Sequence, residues 1–156
     1  MTLDPTARES NFRDSWKKFL VDNIYTISGV QVTFDRTMAT PYLTGHKETT
    51  RWVNVRFGEL SRGHLSTGFV EIYCCTRQDN EGFRIAQLGD LVMGYLSNNT
   101  GDGIMRVPFY RSHSTLPWEK IGGIVVQEII ESAQFLAEDE TKYKILTIIS
   151  RFASII

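Results

Sequence analysis

The order in which two hydrophobic periodicities follow each other along the chain constrains its fold more than any composition figure. Between about residues 7 and 22, Phe12, Trp16, Phe19 and Leu20 recur at helical spacing, with Arg13, Asp14, Lys17 and Lys18 on the other side. Gly29 closes that region, and the period then drops to two. Val30, Val32 and Phe34 alternate with Gln31 and Thr33. Val53, Val55 and Phe57 share one face of a strand over Trp52–Phe57. Gly63 and Gly68 bracket a loop, after which Val70, Ile72 and Cys74 share one face over residues 69–77, opposite Phe69, Glu71, Tyr73 and Cys75. A second helical stripe runs from about Phe83 to Leu96 through Ile85, Leu88, Leu91, Val92 and Tyr95, and the Asn98–Gly103 cluster ends it. Three more strands are expected at about Ile104–Tyr110, Ile121–Ala133 and Tyr143–Ser154. Helix, three strands, helix, three strands is not the alternation of a parallel dinucleotide fold. It predicts an α+β domain, with a mixed or antiparallel sheet and the two helices packed on one face.

The 156 residues suit one domain, 1–156, with residues 1–6 as a loose tail and 36–50 as a long loop. Seventeen Lys and Arg against eighteen Asp and Glu give a formal net charge of -1. That balance removes electrostatic grip on nucleic acid as a default reading, and it leaves little self-repulsion to oppose association between copies. No apolar run approaches the ~20 residues of a membrane span, and the polar start Met1-Thr2-Leu3-Asp4-Pro5 has no signal-peptide character. The two cysteines, Cys74 and Cys75, are adjacent and therefore point to opposite faces of a strand. The expectation is a soluble chain made in a reducing compartment.

Tests for catalysis return little. His46, His64 and His113 fall in expected loops, none with a second His or Cys at metal-ligand spacing, and read as loop histidines. Cys74 and Cys75 sit mid-strand with no helix N-terminus to lower a thiol pKa, and read as small buried residues. Gly101-Asp102-Gly103 lacks the Lys-Ser/Thr of a phosphate loop and precedes a strand, so it reads as a turn. Glu138-Asp139-Glu140 reads as a polar hairpin tip between two long strands, and Asn98-Asn99-Thr100 as an idle match to a glycosylation acceptor. No catalytic, metal-binding or cofactor-binding residue is assigned, and the expectation is a chain that is not an enzyme and carries no cofactor.

The positive signals concern surfaces. Residues 36–50 form the longest irregular stretch, interrupted by Pro41 and Gly45, and such long connections are often binding segments. Arg36, Met38, Pro41, Tyr42, Leu43 and His46 are its candidate contact residues, expected to order between subunits. Tyr110 and Trp118 are candidate aromatic anchors of an interface, although they would serve equally to close the edge of the core. Ile155 and Ile156 end the sequence apolar and are expected to dock on this chain or on a partner. The last two strands, of ~10 residues each, are long for a small sheet and suit pairing with a neighbouring copy.

Four stretches in this order carry a resemblance. They are the opening helix leading to Val30-Gln31-Val32-Thr33-Phe34-Asp35, and the strand Val70 to Asp79 leading through Gly82 to Leu88-Gly89-Asp90. The others are Ile104-Met105-Arg106-Val107-Pro108-Phe109-Tyr110 and Lys142-Tyr143-Lys144-Ile145-Leu146-Thr147-Ile148. By order and spacing the chain resembles the phage tail terminator family, small proteins similar to the minor tail protein U of lambda-like phages. The resemblance implies a virion structural protein assembled in the host cytoplasm and located at the head-proximal end of the tail. Such subunits close into a homohexameric ring that caps the tail tube, ends its polymerisation and meets a neck or head-completion protein. DNA passes through the lumen without specific binding, and no membrane is involved. Another neck or head-tail joining protein is the alternative within structural proteins, and a small ligand-binding domain or enzyme is the alternative outside them.

Overall fold

The strand periodicities merge into one mixed sheet. The computed structural model describes residues 8–35, 50–63, 65–77, 79, 81–96, 105–111, 117–137 and 141–153. Seven strands occur among them: β1 (Gln31–Phe34), β2 (Arg51–Ser61), β3 (Leu65–Thr76), β4 (Met105–Arg111), β5 (Glu119–Glu131), β6 (Phe135–Leu136) and β7 (Lys142–Ala153). Their spatial order is β1-β2-β3-β7-β5-β4, with β6 added beside the start of β7. Only β1 and β2 run parallel; every other pairing is antiparallel. The expected α+β class is therefore what the chain adopts.

Helix α1 (Arg8–Leu20) does not stop at residue 22. It runs on through a π-helical turn, Val21–Tyr25, and an α-helical turn α2 (Thr26–Ser28). Gly29, at φ 70°, then reverses the chain, returning its N–H to the Tyr25 carbonyl at 3.0 Å while Val30 N–H reaches the Ile24 carbonyl at 3.3 Å. Asn23 Nδ2 donates to the Phe19 carbonyl at 2.7 Å in the widened turn. Helix α3 (Phe83–Leu96) keeps the expected bounds.

Phe12, Trp16, Leu20 and Ile24 from the first helical arm and Ile85, Leu88, Val92 and Leu96 from α3 enter one buried cluster. They meet Val53, Val55, Val70, Ile72, Cys74, Leu146 and Ile148 of the central strands there. Each such large side chain removed from water contributes ~1.5–3 kcal/mol before entropy is charged against it.

Gly68 corrects the expected loop bracketed by Gly63 and Gly68. It lies inside β3 and pairs with Ser150, while Ser150 Oγ donates to its carbonyl at 3.0 Å. A Cβ on Gly68 would sit 2.4 Å from Cζ of Phe12. The glycine is a flat seat for the Phe12 ring, which stacks on Phe152 at 4.9 Å and meets Phe57 edge-on at 6.5 Å. Periodicity marks a glycine as a break, whereas here the missing side chain is filled by a helix residue.

The parallel β1–β2 pair also changes the reading of the long connection. Gln31 lies beside Trp52 and Phe34 beside Val55, so the chain must return the whole length of β1 before β2 begins. A parallel pair cannot be closed by a tight turn. The length of the segment after Asp35 is thus required by topology before any binding role is considered. Asp35 itself adopts φ 52°, a conformation Asp tolerates better than most residues. Its N–H donates to the Val55 carbonyl at 2.7 Å, and its carboxylate accepts Phe57 N–H at 3.3 Å and pairs with Arg13.

The start of α3 is capped from a distance. Buried Asp79 accepts Ile85 N–H at 2.9 Å, Arg84 N–H at 3.3 Å and the Thr76 hydroxyl at 3.3 Å. Burial alone would raise its pKa, but these donors outweigh it and hold the carboxyl below the usual aspartate value. Gly82, at φ 71°, carries the turn, and Gln134 lies where its Cβ would stand, donating to the Gly82 carbonyl at 3.3 Å.

Two outcomes are expected. Gly68→Ala should cost ~1–3 kcal/mol in denaturant unfolding, because the added methyl forces the Phe12 ring off the sheet. Asp79→Asn should cost ~0.5–2 kcal/mol at pH 7, the range of a lost helix cap. Because the folded-state pKa is depressed, Asp79 stabilises fully above the ordinary aspartate value of about 3.9 and loses that effect as pH falls through the folded value. The gap between wild type and Asp79→Asn should therefore close on acidification.

Candidate functional site

Of the ten candidate interface residues read from the sequence, the described part of the structure holds two, and it brings them together. Tyr110 near the end of β4 and Trp118 just before β5 meet edge-to-face, ring centroids 6.5 Å apart. Lys18 from α1 places its ammonium 5.8 Å from the Tyr110 ring and 2.7 Å from the Asp22 carboxylate. The hydrogen bond to Asp22 raises the Lys18 pKa, against a smaller opposing effect of burial and with further help from the Asp22 charge. Lys18, Phe19, Asp22, Asn23, Pro108 and Tyr110 line a cleft of about 290 Å³ between the π-helical turn and β4.

This corner exists because β4 is the last strand in the sheet order and needs cover. Pro108 offers no N–H there, as suits an edge strand. Tyr110 N–H donates to Ser15 Oγ of α1 at 2.8 Å, and that hydroxyl lies 3.4 Å from the Tyr110 carbonyl. A helix hydroxyl therefore takes the place of a neighbouring strand. A bulge between Phe109 and Tyr110 further spoils the ladder.

The other candidates, Arg36, Met38, Pro41, Tyr42, Leu43, His46, Ile155 and Ile156, lie outside the described residues. So do His64, His113 and the Glu138-Asp139-Glu140 run. Cys74 and Cys75 are both free and buried, and burial pushes the Cys74 thiol up to about 12, so it stays protonated at neutral pH. Among the described residues, no three His, Cys, Asp or Glu side chains gather as a metal site would require. Among them, too, no helix is long and apolar enough to cross a membrane.

The residue-by-residue reading missed the solvent side of the sheet. Val125 pairs with Arg151 and Ile130 with Thr147, and these alternate along their strands with core residues such as Val126, Ile129, Ile148 and Ser150. Leu65 is 54% exposed, Val125 38% and Ile130 50%. Part of this outer side is closed. Trp52, Asn54 and Cys75 are buried, Arg77 lies over the Trp52 ring, and Phe135, Tyr143 and Tyr73 stack in sequence, with Arg56 4.7 Å from the Tyr73 ring. On the rest of it, the exposed aliphatics Leu65, Val125 and Ile130 stand among polar neighbours such as Thr67, Thr147 and Arg151. Its signal was available in Ile145-Leu146-Thr147-Ile148-Ile149, an apolar run of the kind found in strands covered on both faces.

No model of a known protein family matches the chain, and no curated protein matches it. Solved structures do match. One of them, whose chain carries no descriptive name, superposes with a TM-score of 0.62 over 95% of this chain and 96% of that one, at 10% sequence identity. At that identity the likeness concerns the fold alone.

Ser15→Ala is expected to lower stability by ~1–3 kcal/mol, since it strands the Tyr110 N–H under a helix with no replacement acceptor. Thermal or urea unfolding checks it; an unchanged midpoint would show that water reaches the strand edge.

Proposed function

We propose that the chain is a tail-terminator-type virion protein, a subunit that closes into a ring on the head-proximal end of a phage tail tube. The observation that carries this reading is the exposure of the aliphatic residues Leu65, Val125 and Ile130 on the outer side of the sheet. An isolated small domain gains nothing from large aliphatic side chains held in water, whereas a subunit buries them against its neighbours. The order and spacing of the four stretches noted in the sequence supply the family. Ring closure needs two different surfaces on each subunit that meet by rotation. The apolar outer surface is one of them, and the Tyr110–Trp118 corner with its cleft at the β4 edge suits contact with a tube or neck protein. In this reading the ring terminates tube growth, and the near-neutral net charge of -1 suits a lumen that lets DNA pass without gripping it.

Native mass measurement over a concentration series should find a hexamer, alone or on addition of a cognate tail tube protein. The same addition should shorten the tubes that polymerise, as seen by electron microscopy. A chain that stays monomeric throughout and leaves tube length unchanged would overturn the proposal.

A further inference from the structure

Strands β5 and β7 separate before either of them ends. Their pairing begins at Val125 opposite Arg151, although β5 starts back at Glu119 and β7 runs on to Ala153. Over residues 120–124, β5 is laddered to β4 alone, so among the described residues its other edge has no neighbouring strand. Such an edge presents its N–H and C=O groups to another chain. The fork between the two strands holds a groove of about 430 Å³, lined by Leu65, Gly123, Val125, Gln127, Arg151 and Phe152. That volume falls within the ~300–1,000 Å³ of sites that accept a compact apolar group.

Gly122 and Gly123 lie in the unpaired stretch, both exposed, and a Cβ on either would meet no heavy atom within 4 Å. Bare backbone in a strand interior leaves room for a second backbone to approach. The charge at the fork is mainly positive. Register places Arg106, Val125, Arg151 and Thr67 side by side on β4, β5, β7 and β3, and both arginines are exposed. Lys120 adds an exposed cation at the start of the edge. The Arg151 side chain has no hydrogen bond or ion pair among the described residues. Glu128, opposite Ile149, is the carboxylate closest to it in register, and the two do not pair.

We infer that this fork receives an extended segment of a partner protein, which adds to the free edge of β5 and carries an aliphatic side chain and a carboxylate two positions apart. The segment's backbone pairs with residues 120–124, its aliphatic side chain enters the groove over Gly123, and its carboxylate meets Arg151. The spacing follows from strand geometry, since alternate side chains share one face. The unpaired edge selects a polypeptide as the ligand, and the cationic rim selects an acidic one. This chain's own outermost strands are unsuited to the part: β4 carries Pro108 and a bulge, and the four residues of β1 include no carboxylate. The edge begins beside Trp118, which makes it continuous with the Tyr110–Trp118 corner. The inference rests on the tail-terminator reading for the partner, a tube or neck protein, and leaves Ile130, near the other end of β5, to contacts between copies.

The probe is a fluorescein-labelled peptide, Thr-Ile-Thr-Glu-Thr-Ile-Thr with an amidated C-terminus, titrated into the whole protein. Anisotropy should show saturable binding, and hydrogen exchange should slow at residues 120–124. Arg151→Glu should weaken binding at least tenfold, as should lysine in place of the peptide's glutamate, and the two changes together should recover most of the loss. Gly123→Val should weaken it at least tenfold by filling the groove, without lowering the melting temperature, because the added side chain enters open space. A peptide N-methylated on alternate amides should not bind, whereas docking through side chains alone would tolerate it. No binding, protection elsewhere, or indifference to Arg151→Glu would overturn the inference and leave the ring intact. So would binding that appears only after residues 154–156 are removed, which gives the edge to this chain's own continuation. Binding by the monomer but not by the hexamer gives the edge to a second copy, and overturns it as well. Peptide binding by a chain that never assembles would keep the fork and remove the ring.

Discussion

Everything else in the fold is hung on the pairing of β3 with β7. The two strands run antiparallel in unbroken register from Leu65 opposite Ala153 to Thr76 opposite Lys142. They lie at the centre of the sheet order, with β2 and β1 on one flank and β5 and β4 on the other. A one-residue slip would turn Val70, Ile72, Leu146 and Ile148 out of the core and Glu71 and Thr147 into it. The burial of those four aliphatics is thus what holds the register. The partners are far apart in sequence, so their loop-closure entropy must be met before they gain anything, and local helix contacts cannot substitute for them.

Around that pair, the helices are located by contacts between specific side chains. Phe12 lies on bare Gly68 and against Phe152, which Phe109 of β4 also touches at 5.2 Å. Arg13 lies 4.5 Å from the Phe57 ring and pairs with Asp35, which binds the first helical arm to the β1–β2 edge. Ser15 does the same at the β4 edge. Within about one helical turn, Phe12, Arg13 and Ser15 thus fasten α1 to both flanks of the sheet, and the π-helical turn follows them. The Ser28 and Tyr95 hydroxyls, 2.6 Å apart, join that exit to α3.

The candidate surfaces follow from the same construction. The β4 edge is blunted by a proline, a bulge and a helix hydroxyl, so sheet extension there is discouraged and the Tyr110–Trp118 pair remains as the accessible feature. On β3, β5 and β7, apolar residues occur on both sides of the strands, and the side away from the core keeps Leu65, Val125 and Ile130 in contact with solvent.

The sequence by itself determined the element types and most of their extents. Stripes at helical spacing through Phe12, Trp16 and Leu20 or Ile85, Leu88 and Val92, and alternation through Val53 and Val55 or Val70 and Ile72, are local consequences of backbone geometry. Tertiary structure alone decided what depended on distant partners. Gly68 reads as a break until Phe12 is seen to cover it, and the length of the stretch after Asp35 reads as a sign of a binding segment until β1 proves parallel to β2, a pairing that needs a long return of itself. Asp79 has the look of a turn residue until the N–H groups of Arg84 and Ile85 turn towards it. The same holds for the surface: Tyr110 and Trp118 could be picked out singly, but their contact is not encoded at any fixed spacing. Short-range periodicity reports which side of an element is apolar; only the assembled sheet shows which of those sides remains uncovered.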